Sequence, residues 1–358
     1  LPQGQCSDSD SQPPGILMNI FMSSYTGNGV TPRAFTGIGF TPKVVGIFKR
    51  AVADLLTIWK TDTMSSTDSF RWLEGTYNND GTGIRSLDTD GFTVGDHAQV
   101  NANTVEYGYW ALSADADALQ TGSYAGTGAD DYNIAANFQP DIILLQATPQ
   151  TGLNTRHGYI WIASQGGDSS AVLEGSAAAV VNAIQGSGAS GFQVGTAVNT
   201  IGQTYHWVVL KRKDNNIIEG KYTGDGTDSR NITFVGDAFT PQFVLVKGAI
   251  GGVFNATTTR TTLHTGDLAF VGGQGELTNI IQALNTDGFQ VGSSALINAS
   301  GPTYWYVALA TGPVIAETAG PAGTGSASPS PFESPDNPYA WYKMGLNMLN
   351  TYKAVKIL

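Results

Sequence analysis

The chain has 358 residues, 41% hydrophobic and 13% charged, with 45 glycines, one cysteine and a formal net charge of −11. So large an apolar fraction argues against a disordered chain, and so acidic a balance argues against nucleic acid as a partner, because phosphate binding needs clustered Lys and Arg. Cys6 has no second cysteine for an intrachain disulfide, and no stretch reaches the roughly 20 apolar residues a membrane-crossing helix needs.

In chain order, residues 1–22 join the polar start "QGQCSDSDSQPPG" to the apolar run "ILMNIFM" and read as an N-terminal arm. Ile16, Leu17, Ile20 and Phe21 are its candidates for packing on neighbouring chains. Three similar segments follow, at 23–115, 122–213 and 220–312. Each opens on a Tyr-x-Gly-x-Gly: "YTGNG" at Tyr25, "YAGTG" at Tyr124, "YTGDG" at Tyr222. Each then shows a Phe-x-Pro before an apolar run, "FTPKVVGIF", "FQPDIILLQ" and "FTPQFVLVK", and a Gly-Phe phrase, "TDGFTVG", "ASGFQVG" and "TDGFQVG". Each closes on an aromatic stretch, "VEYGYWAL", "QTYHWVVL" and "PTYWYVAL". From opening tyrosine to the phenylalanine of Gly-Phe the separations are 67 (Tyr25 to Phe92), 68 (Tyr124 to Phe192) and 67 (Tyr222 to Phe289). Solenoid units repeat every ~20–50 residues, whereas a period of roughly 98 approaches the size of a domain.

The apolar runs are short, β-branched and entered from proline, which suits the first residue of a strand. The aromatic stretches alternate with period two, so one face packs inward. Helix signals are nearly absent. The most helix-like stretch, "SSAVLEGSAAAVVNAIQ" at 169–185, has Gly- and Thr-rich counterparts in the other repeats. The fold expected is all-β: three tandem antiparallel β-sandwich repeats, jelly-roll or lectin-like, with flexible terminal arms.

The chemistry-bearing residues form no shared pattern. The glycine-rich "YTGNGV" lacks the Gly-Lys-Ser/Thr ending and the helix of a phosphate loop, and reads as a turn. "DTDG" (88–91) resembles the start of a calcium loop, but Phe92 falls where an oxygen ligand belongs, and a structural turn is expected. His97, His157, His206 and His264 show no metal-ligand spacing, and Glu74, Glu106, Glu174, Glu219 and Glu276 form no repeated pair of the kind glycosidases use. "GSGAS" (186–190) stops short of a nucleophile elbow. No catalytic, cofactor or metal site is therefore assigned. Trp110, Trp207 and Trp305 are candidates for glycan stacking, weighed against a place in the core. The sequons at Asn231, Asn255 and Asn298 carry little weight in a chain so rich in Asn and Thr.

Residues 313–338 are a Pro/Gly/Ser-rich linker. Residues 339–358, "YAWYKMGLNMLNTYKAVKIL", carry three lysines and no acid on an acidic chain. Trp341, Tyr342, Leu346, Leu349, Tyr352 and Val355 recur at three- and four-residue intervals, which suits a docking arm with one apolar side.

The thrice-repeated order of Tyr-x-Gly-x-Gly, Phe-x-Pro with an apolar strand, Gly-Phe-x-Val-Gly and an aromatic strand, over residues 25–312, resembles a module of tailed-phage virion proteins of the tail-fibre and head-appendage type. Repeat two departs from it at Ala125 and Ser190. The resemblance implies a non-enzymatic structural protein at a virion surface, with copies of itself and other virion proteins as partners. A host-surface glycan is a further partner to weigh. The alternatives are an extracellular filament or surface-layer subunit, and a carbohydrate-binding module or depolymerase.

Overall fold

The computed structural model describes residues 18–50, 57–66, 68–71, 81–148, 157–173, 179–248, 257–272 and 274–312. Repeat one contains β1 (Met18–Thr26), β2 (Arg33–Thr36), β3 (Val44–Lys49), β4 (Ile58–Thr61), β5 (Phe70–Arg71), β6 (Ile84–Asp88), β7 (Gly91–Val94) and β8 (Glu106–Ala114). Repeat two contains β9 (Leu119–Ala125), β10 (Tyr132–Ala135), β11 (Ile142–Ala147), β12 (Gly158–Ile162), β13 (Ser169–Val172), β14 (Val180–Val181), β15 (Ile184–Gly188), β16 (Gly191–Val194) and β17 (Thr204–Leu210). Repeat three contains β18 (Ile217–Thr223), β19 (Arg230–Thr233), β20 (Phe243–Lys247), β21 (Thr257–Thr261), β22 (Ala269–Val271), β23 (Gly275–Leu277), β24 (Ile281–Asn285), β25 (Gly288–Val291) and β26 (Thr303–Leu309).

Every repeat is a two-layer antiparallel sandwich. The large sheets run β1-β8-β3-β4-β5, β9-β17-β11-β12-β13-β14 and β18-β26-β20-β21-β22-β23, and the small ones β2-β7-β6, β10-β16-β15 and β19-β25-β24. The register repeats as well: Phe35 faces Phe92, Ile134 faces Phe192 and Ile232 faces Phe289, all three Gly-Phe phenylalanines being buried. The helix-like stretch at 169–185 contributes strands β13 and β14 and the start of β15. β1 starts at Met18, so Met18–Met22, assigned from the sequence to the N-terminal arm, forms the first half of a strand in the sandwich.

The strand that follows each Phe-x-Pro is apolar on both faces, and its two faces go to different places. Val45 and Ile47, Ile143 and Leu145, and Val244 and Val246 point into their own sandwich. Val44 and Phe48, Ile142, and Phe243 and Leu245 point the other way, into one core built by all three large sheets. The aromatic strands divide likewise: Leu112, Leu210 and Leu309 enter the common core, while Tyr107, Tyr205 and Tyr304 stay inside their sandwiches. Where the sheets meet they enclose a void of about 40 Å³ lined only by apolar side chains, which would offer a water no hydrogen-bond partner.

Contacts between repeats close in a circle. Three residues before each opening tyrosine stand Met22, Thr121 and Glu219. The Met22 sulfur accepts from Thr262 Oγ1 of repeat three (3.7 Å), Thr121 Oγ1 donates to Asp62 of repeat one, and Glu219 Oε2 accepts from Ser164 N of repeat two (3.0 Å). The last position of each Phe-x-Pro strand on the face turned away from its own sandwich behaves the same way. Phe48 packs against Phe270 of repeat three, Gln146 accepts from Trp59 Nε1 of repeat one (2.7 Å), and Lys247 lines one cleft together with Ile162 and Ala171 of repeat two. One head-to-tail interface used three times and returning to its start is a closed ring, here made within a single chain. The described ends meet there too, since Gly312 N donates to Met18 O at 2.8 Å.

Candidate functional site

The most regular polar construction in the molecule surrounds the Tyr-x-Gly-x-Gly loops. Asn101, Asn199 and Asn298, each fully buried, lie six residues before Tyr107, Tyr205 and Tyr304. Their Oδ1 atoms accept from Asn28 N (3.0 Å), Thr127 N (2.8 Å) and Asp225 N (3.1 Å). Their Nδ2 groups donate to Val30 O (2.8 Å), Ala129 O (2.7 Å) and Thr227 O (2.8 Å). The opening tyrosines donate across the same loops to the carbonyls of Val100, Val198 and Ile297. Burial holds the hydroxyls of Tyr25, Tyr124 and Tyr222 well above the ordinary tyrosine range, so they remain donors.

The glycines of the motif have separate reasons. A Cβ on Gly27, Gly126 or Gly224 would lie 1.9–2.0 Å from the carbonyl oxygen of Ala102, Thr200 or Ala299. Gly29, Gly128 and Gly226 have φ of 67°, 78° and 76°, which glycine adopts without strain. The loop is thus a stapled turn whose amides are engaged by the protein itself. The Asp-Gly turn of repeat one is similar: Asp90 accepts from Gly37 N (3.0 Å) and Gly39 N (2.6 Å), so its carboxylate caps backbone amides. Asn298, a formal glycosylation sequon, is wholly buried by this staple, whereas Asn231 is exposed; Asn255 lies outside the described residues.

The fourth strand of each large sheet carries another repeated device. Lys60 donates to Ser65 O and to Asp68 O (2.5 Å), Trp161 Nε1 to Gly167 O (3.2 Å), and Arg260 to Leu268 O, Ile281 O (2.9 Å) and Gly266 O (2.7 Å). A buried N–H donor thus gathers the following loop in every copy. Burial lowers the Lys60 pKa to about 8, with Asp68 opposing the shift.

The histidines separate by position. His206, on β17, meets the edge of Phe70 across the junction of repeats one and two, and His264 stacks on Phe48 across that of repeats three and one. Burial holds both near pKa 4, with Asp68 opposing at His206 and the Thr261 hydrogen bond at His264. Arg50 ties repeat one to repeat three through Glu276 Oε1 (3.0 Å), and it also bonds Glu106 (2.9 Å). Glu276 in turn lies 3.6 Å from His264 Nε2. Glu106 and Glu276 therefore share Arg50, while Glu219 caps the Ser164 amide elsewhere. Among the described residues no group of three His, Cys, Asp or Glu side chains is placed to hold a metal, and no helix is long and apolar enough to cross a membrane.

The glycan-stacking candidates do not form a platform. Trp110 is 6% exposed in the common core and Trp207 is 7% exposed inside sandwich two. Trp305 is partly buried against the common core. They also occupy three different register positions, because the inward partner is Tyr109 in repeat one, Trp207 itself in repeat two and Tyr306 in repeat three. Of the assembly candidates, Ile20 is buried in the common core and Phe21 stacks on Tyr109 at 6.1 Å, so both pack within their own chain. Ile16, Leu17, Trp341, Tyr342, Leu346, Leu349, Tyr352 and Val355 lie outside the described residues, as do Glu74 and Glu174. No protein-family model matches the chain, and no curated protein is significantly similar to it in sequence.

Proposed function

We propose that the chain is a non-enzymatic structural protein of a phage virion surface, a fibre, decoration or appendage subunit, in which the ring of sandwiches is a rigid body and the terminal arms fix it to its neighbours. The observation that carries this reading is the hydrogen bond from Gly312 to Met18: the chain enters and leaves the ring at one place. Residues 1–17 and 313–358 can therefore engage the same neighbour. Ring closure supports it further, because the head-to-tail surfaces that three separate subunits would offer one another are already occupied within the chain. Contacts to other chains then fall to the arms and the outer faces. The residues that recur in all three repeats, the stapled loops and the buried phenylalanines, have structural tasks, as a scaffold requires. An extracellular filament or surface-layer subunit would use the same parts.

The test compares the full chain with a form ending at Gly312, by sedimentation and negative-stain microscopy at rising concentration. The full chain is expected to form defined oligomers or fibres, weakened by salt through Lys343, Lys353 and Lys356, while the shortened chain stays monomeric. Equal assembly by both forms would place the interface on the ring. Carbohydrate hydrolysis by the full chain, lost on one carboxylate substitution, would replace the structural reading with an enzymatic one.

A further inference from the structure

The small sheets of the three repeats share register, so their outer faces can be compared residue by residue. Along one row stand Ala34 and Thr93 in repeat one, Asn133 and Gln193 in repeat two, and Asn231 and Gln290 in repeat three. In the next row Asp88, Gly91 and Thr36 of repeat one correspond to Gly188, Gly191 and Ala135 of repeat two and to Asn285, Gly288 and Thr233 of repeat three. Repeats one and three cover their faces. Asp88 accepts from Thr93 Oγ1 (2.8 Å), and Asn231 accepts from Asn285 Nδ2 (3.0 Å) and Gln290 Nε2 (3.2 Å).

Repeat two has no such cover. Gly186, Gly188, Gly191 and Ala135 leave bare backbone as a floor, and a trough of about 450 Å³ opens over it, walled by Asn133, Gln185 and Gln193. A Cβ on Gly188 would meet nothing within 4 Å, so the room is real and the glycine is not there to relieve a clash. The volume falls within the roughly 300–1,000 Å³ of small-ligand sites. No charged residue lines the trough, although the chain as a whole carries −11.

We propose that this trough binds a neutral oligosaccharide. A flat glycine floor lets a pyranose ring approach to van der Waals contact. The Asn133 carboxamide offers donors and an acceptor, and Gln193, whose Nε2 already donates to Asp131 O (3.2 Å), keeps its Oε1 acceptor and one further N–H, the combination that neighbouring hydroxyls require. A cationic ligand would find no carboxylate among the lining residues, and an anionic one would find no cation while facing the protein's negative field. Without an aromatic platform the site binds weakly. The inference rests on the trough alone and stands or falls independently of the structural role proposed above.

The test is titration of the full chain with maltohexaose, cellohexaose and mannohexaose, followed by calorimetry and amide chemical shifts, with tri-galacturonate as the anionic arm. At least one neutral oligosaccharide is expected to saturate with Kd on the order of 1 mM or below and to shift residues 133–135 and 185–193. The double variant Ala135→Thr, Gly188→Asn writes into repeat two the residues repeat three already accommodates. It should weaken binding about tenfold or more at an unchanged melting temperature. Should that variant fold poorly, Asn133→Ala with Gln193→Ala, both on the solvent face, reads the same loss. No saturation by any neutral probe at about 10 mM, equal binding of tri-galacturonate, or undiminished binding in a folded variant would overturn the proposal.

Discussion

The sandwich interiors and the common core are both apolar, yet they are specified in different ways. Inside each sandwich the same parts recur: a Gly-Phe phenylalanine, a tyrosine pair stacked at 5.0–5.3 Å (Tyr25 with Tyr107, Tyr124 with Tyr205, Tyr222 with Tyr304) and a buried asparagine stapling the opening loop. At the junctions the equivalent positions have diverged. Phe48, Gln146 and Lys247 occupy one site in the three repeats, as do Gly108, His206 and Trp305, and Phe70, Ala171 and Phe270. The three copies keep the residues that define the corners of the sandwich, whereas a ring within one chain benefits from unlike junctions, because each then fits only its own neighbour.

If the interior is the rigid part, its phenylalanines should be the costliest to truncate. Phe289→Ala removes a fully buried ring and should cost about 3–5 kcal/mol. The common core should also make all three repeats unfold together in urea. A separate transition for repeat three would show that the sandwiches are independent and the shared core weak.

The junctions, by contrast, should be the acid-sensitive part. For His206 and His264 the ordinary pKa is 6.5 and the folded value is about 4, so the unfolded chain takes up the proton first as pH falls. Stability is unaffected above about 6.5 and declines from there to about 4, below which the histidine-linked loss levels off at roughly 3 kcal/mol per histidine. Around His206 the relevant charges are Lys60 and Asp68; around His264 they are Arg50, Arg260 and Glu276. His206→Leu should remove about half of this decline while changing stability at pH 8 only slightly, since its Nδ1 has no hydrogen bond to lose. An unaltered pH profile in that variant would assign the acid sensitivity to carboxylates instead.

A smaller loss is expected from the staple. Asn199→Ala leaves the Thr127 amide and the Ala129 carbonyl without their partner and should cost about 1–3 kcal/mol, seen as faster hydrogen exchange confined to residues 126–130. The smallest effect belongs to the Lys213–Asp117 pair at 3.0 Å, whose carboxylate is 59% exposed. Lys213→Ala should change stability by less than about 1 kcal/mol.

Much of the interior was legible in the sequence, and particular residues show why. Gly29, Gly128 and Gly226 mark turns because only glycine takes positive φ freely, and Phe92, Phe192 and Phe289 mark a buried corner because a large apolar residue recurs at fixed spacing. The three asparagines were missed although they also recur, six residues before Tyr107, Tyr205 and Tyr304; among so many Asn and Thr residues the pattern did not stand out. The tryptophans misled, since Trp110, Trp207 and Trp305 look equivalent in the sequence but are displaced by register, so that Trp207 turns into its own sandwich while Trp110 and Trp305 pack on the common core from different positions.

The sequence by itself determined the threefold repetition, the all-β class, the corners of each sandwich and the absence of a shared catalytic pattern, because local turn chemistry and period-two alternation are written in neighbouring residues. Only the tertiary structure decided that the outer faces of the three large sheets form one core, that the ring closes on Met18 and Gly312, and that repeat two keeps an open trough. "KVVGIF" or "QFVLVK" records that both faces of a strand are buried, but the surface that buries the second face lies about a hundred residues away, and nothing local to the strand names it.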